Sequence, residues 1–73
     1  MIYRLYITDP ELYTEANAAT TVDQHPGWSF IFVPEQPLYQ QFKQDVLDGA
    51  ELQYLDGVPM TQEDATAFIE TLP

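Results

Sequence analysis

The stretch HPGWSFIFVPEQP, residues 25–37, contains the chain's only histidine, only tryptophan and only serine. Its centre, Trp28 to Val33, is apolar at every position except Ser29. An unbroken run of β-branched and aromatic residues predicts a strand covered on both faces, placed near the middle of a sheet. Pro26-Gly27 before it and Pro34 with Pro37 after it disfavour continuation of the ladder, so the run is fenced at both ends. Trp28 stands next to the turn and is expected in the core, where its large burial area suits a small domain. The opposing reading makes it an exposed anchor for a partner.

Outward from this strand, the N-terminal MIYRLYIT, residues 1–8, alternates. Tyr3, Leu5 and Ile7 fall on one face and Ile2, Arg4 and Tyr6 on the other, as a strand requires. TDPELYTEANAAT, residues 8–20, begins with helix-start chemistry. Asp9 or Thr8 can cap, Pro10 fits the first helical position, and Glu11 suits the positive helix end. Leu12, Ala16 and Ala19 lie at helical spacing, and a helix ending near Thr20 is expected.

On the C-terminal side, PLYQQFKQDVLDG, residues 37–49, predicts the clearest helix. Leu38, Phe42 and Val46 repeat every four residues, Tyr39 and Leu47 flank them, and Gly49 suits the C-terminal cap. Asp56-Gly57 then predicts a type I′ hairpin. Pro59 keeps the returning arm short and at a sheet edge. In the final TQEDATAFIETLP, Thr61 with Asp64 forms a variant capping box, and Ala65, Phe68, Ile69 and Leu72 make one apolar face. The expected order is β-α-β-α-β-β-α. It describes a single α+β domain over residues 1–73, with helices packed on a small mixed or antiparallel sheet.

Seventy-three residues allow one core, and a chain of this size buries only about 60% of its unfolded surface. No cysteine is present, which removes disulfides and thiolate metal sites. The 45% hydrophobic content, rich in aromatics, must supply the stability. The start resembles no secretory leader, and no apolar run approaches the roughly 20 residues that span a bilayer. A cytoplasmic, monomeric protein without membrane contact is the expectation.

Twelve acids face two bases, Arg4 and Lys43, for a formal charge of −10. Such a body is repelled by phosphate backbones, so direct nucleic-acid binding is excluded, and steering towards basic partners is favoured. Solubility is the plainer consequence of the same charge.

Catalytic readings fare poorly. His25 with Ser29 is the one conceivable base–nucleophile pair, with Asp23 as the orienting acid. Ser29, however, sits inside a strand with no elbow and no oxyanion turn. Asp45, Asp48, Glu51 and Asp56 lack calcium-loop spacing, and one histidine without cysteine makes no structural zinc site. The three glycines form no phosphate loop, and no cofactor or metal is expected. Asp45 and Asp48 lie near a helix C-terminus, where the dipole disfavours them, which hints at a partner.

The acids fall into three groups: Asp9, Glu11 and Glu15; Asp45, Asp48, Glu51 and Asp56; Glu63, Asp64 and Glu70. With Tyr6, Tyr13 and Tyr54 as amphipathic anchors, the candidate partner-binding residues are Tyr6, Asp9, Glu11, Tyr13, Glu15, Asp45, Asp48, Glu51, Tyr54, Glu63 and Asp64.

A short, acidic, cysteine-free α+β chain that opens on a strand resembles the small phage-encoded proteins that seize host RNA polymerase as inhibitors or antiterminators. The resemblance lies in size and composition along the whole chain, and no family residue is carried onto these positions. It implies a non-enzymatic protein that sits on the polymerase in the host cytoplasm and modifies transcription. The alternative is an acidic nucleic-acid mimic that inhibits a defence nuclease, of the anti-CRISPR or anti-restriction type. Mimicry requires the charge to gather on one side, since a duplex presents one phosphate per ~1.7 Å.

Overall fold

The computed structural model describes all residues from Met1 to Pro73. Six elements follow in order: β1 (Ile2–Tyr6), β2 (Ala18–Thr21), β3 (Ser29–Ile31), α1 (Pro37–Leu47), β4 (Glu51–Gln53) and α2 (Gln62–Glu70). The α+β class and the small mixed sheet are as the sequence predicts. The sheet runs β3-β2-β1-β4, with β1 antiparallel to β2 and parallel to β4.

The alternation read in β1 places Tyr3 and Leu5 inward. They join Ala19, Phe30 and Leu52 from the other strands and Tyr39, Phe42, Val46, Ala65 and Ile69 from the helices in one core. Both helices therefore lie on one face of the sheet. Aromatic rings dominate the contact: Tyr3 meets Phe42 edge-on at 5.0 Å, and Phe32 stacks on Phe42 at 5.6 Å. Geometry of this kind adds about 0.5–1.5 kcal/mol per pair beyond the area buried.

The expected first helix is absent. Asp9 begins a turn: its carbonyl accepts from Leu12 and Tyr13 N–H, and its carboxylate accepts from Glu11 N–H. The helix-start signals are thus used, but for a single turn. The stripe meant to hold a longer helix was too weak, since Leu12 is 75% exposed and alanines bury little area. Residues 18–21 instead join the sheet, where Ala19 lies in register between Leu5 and Phe30. A small side chain between two large ones suits that position, which overrides alanine's low strand preference.

The run Trp28–Val33 also departs from expectation. It gives a three-residue strand at the sheet edge, because the two inner places go to β1 and β2. Phe30 enters the core and Phe32 packs partly against it, whereas Trp28 is 41% exposed. Trp28 is therefore not a core residue.

Both helix termini at the C-terminal end of the fold follow the sequence closely. Gly49, at φ +110°, ends α1, with Ala50 N–H on the Asp45 carbonyl and Gly49 N–H on the Val46 carbonyl. This is a Schellman termination. Thr61 Oγ1 accepts from Asp64 N–H at 3.1 Å and caps α2. The Asp56-Gly57 hairpin forms, but only Gly57 has positive φ, so the turn is not type I′. Gly57 N–H bonds the Tyr54 carbonyl and Tyr54 N–H bonds the Val58 carbonyl. That is a three-residue loop with a glycine bulge. The returning arm makes one bridge, Gln53 to Pro59, beside the edge strand β4.

Candidate functional site

The hairpin after β4 and the outer side of α2 enclose an open groove of about 900 Å³. Leu5 forms part of its floor, Ala16 comes from the loop before β2, and Leu55 and Met60 from the hairpin. Phe68 and Leu72 complete the apolar lining from α2 and the residues after it. Both belong to the apolar face read from the sequence, but Ala65 and Ile69 take the buried positions while Phe68 and Leu72 stay half-exposed at the edge of the core. Three carboxylates border the groove and its shallow continuation: Glu15, Asp56 and Asp64. No lysine, arginine or histidine lines it.

Of the candidate residues, the fold gathers Glu15, Tyr54 and Asp64 here. The others are dispersed. Tyr13 borders a separate small recess with Ile31 and Phe32. Tyr6 is half-buried on the outer sheet face, in register with Ala18 and Ile31. Asp9 holds its own turn, and Glu11 is exposed within it, so the first acidic group lies on a loop rather than a helix. Asp45 is occupied internally, accepting from the Tyr3 hydroxyl at 2.6 Å and from Gln41 Nε2 at 2.8 Å. Asp48 caps the end of α1 and accepts from Gln44, while Glu51 accepts from Gln53. Glu63 is exposed in the first turn of α2, where the helix dipole favours it.

Sequence reasoning missed Leu55, Met60, Phe68 and Leu72 as surface residues. The available signal was YLDGV, residues 54–58, which places large apolar side chains around a turn that must face solvent. Leu55 is 51% and Val58 53% exposed.

Both bases are engaged within the molecule. Arg4 Nε donates to Gln53 Oε1 at 3.0 Å, and its guanidinium lies under Gly57, where an added Cβ would meet it at 3.3 Å. Lys43 Nζ donates to the Pro73 carbonyl at 2.8 Å and sits 5.2 Å from the Tyr39 ring centroid. Neither forms an ion pair with an Asp or Glu side chain. Strands β1, β2 and β3 carry no acid, so the carboxylates lie on the loops, the hairpin and the helices, with Glu51 alone at the start of edge strand β4.

The His25–Ser29 pair is not assembled. Ser29 Oγ donates to Thr20 Oγ1, Asp23 accepts from Ile2 N–H, and no hydrogen bond links either to His25. No group of three or more His, Asp or Glu side chains is arranged to hold a metal ion. No helix is long and apolar enough to cross a membrane. Compared with protein-family models, curated proteins and solved structures, the chain matches none. What the fold defines is a small acidic α+β protein with an apolar groove beside its hairpin.

Proposed function

We propose that this protein is a non-enzymatic adaptor or inhibitor that acts by occupying a basic surface of a larger nucleic-acid-processing enzyme. Bacterial RNA polymerase is the first target, and the consequence is inhibited or altered transcription. The observation that carries the reading is the uncompensated charge. Twelve acids face two bases, and both bases are turned to internal acceptors. Apart from the N-terminal ammonium, 3.9 Å from Asp23, no cation on the surface pairs with the carboxylates, which therefore steer the protein towards cations and away from phosphates. The resemblance to small phage-encoded polymerase regulators selects the target.

Purified bacterial RNA polymerase tests the proposal directly. The protein should associate with it, lower or alter transcript yield in vitro, and associate more slowly as ionic strength rises, because charges are screened beyond ~8 Å at physiological salt. Absence of association at low salt, or association indifferent to salt, overturns the proposal. Competition by duplex DNA for the same site on the target would shift the reading to nucleic-acid mimicry.

A further inference from the structure

We propose that the groove between the hairpin and α2 receives a basic amphipathic segment of a partner protein. Its apolar side chains enter between Leu55, Met60, Phe68 and Leu72, and its lysines or arginines meet Glu15, Asp56 and Asp64. The inference rests on the contact reading above and gives that contact a place on the molecule.

The chemistry of the walls selects the occupant. Small-molecule sites hold their ligands with a few convergent polar groups set in an apolar enclosure. Here every buried side-chain polar atom already has a partner, and the Thr71 hydroxyl at the groove is turned to the Phe68 carbonyl at 2.7 Å. Apart from the exposed Tyr54 hydroxyl, recognition is left to apolar shape within and to charge at the border. An amphipathic helix laid in a hydrophobic groove uses those two components. The sign follows from the border, which holds three carboxylates and no base.

Leu55 and Val58, each more than half exposed on the hairpin, widen the apolar surface such a segment would cover. A second copy of this chain does not fit. It carries the same charge of −10, and its two bases are already engaged.

The test uses a fluorescein-labelled synthetic helix with leucines at i, i+3, i+4 and i+7 and lysines elsewhere, titrated by anisotropy and mapped by amide chemical shifts. Shifts should concentrate at Ala16, Tyr54–Met60 and Asp64–Leu72. Leu55→Ser, and the triple E15Q/D56N/D64N, should each weaken binding by about tenfold or more, as loss of an interface anchor does. The triple D23N/E35Q/E70Q, which removes equal charge elsewhere, should bind within about twofold of the original protein. All the altered side chains are exposed, and circular dichroism checks that each variant is folded.

No binding, shifts centred elsewhere, equal losses in the two triples, or equal binding of a peptide with glutamates for lysines would each overturn the groove assignment. The polymerase experiment fails or succeeds separately. Salt-dependent association that survives both triples equally would sink the groove and leave the charge reading standing.

Discussion

Tyr3 is almost fully buried in the middle strand, yet its hydroxyl reaches Asp45 on α1 at 2.6 Å. Burial raises its pKa above the ordinary tyrosine range, reinforced by the hydrogen bond to Asp45 and by the negative charges of Asp45 and Asp23. Tyr39 is raised by burial as well. A raised pKa means that the folded form keeps a proton the unfolded chain gives up. This contribution to stability is fully present below the unfolded value of about 10 and is lost as pH climbs past it. An alkaline titration followed by phenolate absorbance and circular dichroism should therefore show the last tyrosines ionising together with unfolding. Tyr3→Phe should remove one phenol from that late phase. It should also cost about 1–2 kcal/mol in urea unfolding at neutral pH, where Asp45 loses a charge-assisted bond. Asp45 thus serves the interior, although its position near a helix C-terminus suggested a partner contact.

Among the elements, those whose ends carry stereochemically specific residues were legible in the sequence. Pro37 and Gly49 bracket α1, Thr61 caps α2, and Gly57 turns the hairpin. Thr61→Ala should destabilise by about 1 kcal/mol, read from thermal unfolding. Gly49→Ala should cost about 1–2 kcal/mol, since its φ is unfavourable for a residue with a side chain. Asp48→Lys should act in the opposite direction, gaining about 0.3–1 kcal/mol at low ionic strength by answering the negative end of α1. What was not legible depends on competition between distant segments. Residues 9–16 start a helix by every local rule, but residues 18–21 bury more by pairing with β1. Likewise Trp28–Val33 has the composition of a central strand. Only the positions of β1 and β2 and the flanking prolines leave it at the border. The groove was hidden for the same reason: Phe68 and Leu72 look like core on a helical wheel, and nothing local says that the sheet ends before covering them.

For the whole molecule, charge acts oppositely on stability and on association. Ten excess negative charges on a body 32 Å in its longest extent repel one another, and added salt screens that repulsion. The melting temperature should rise with sodium chloride, each ~1 kcal/mol of relief moving a domain of this size by about 4–8 °C. Over the same range of salt, capture by a basic partner should weaken. A melting temperature that fell with salt would mean that the carboxylates stabilise the monomer through pairings, and their outward role would be lost.

The parallel pairing of β1 with β4 joins residues 49 positions apart in the chain. A ribosome therefore delivers the middle of the sheet first and one of its two neighbours late. Until Leu52 emerges, Tyr3 and Leu5 have no complete cover, and the nascent polypeptide carries its stickiest residues in the open. Contacts of such long sequence separation slow folding and lengthen exposure to aggregation. The acidity proposed to guide the finished molecule would, during that interval, hold growing copies apart from one another.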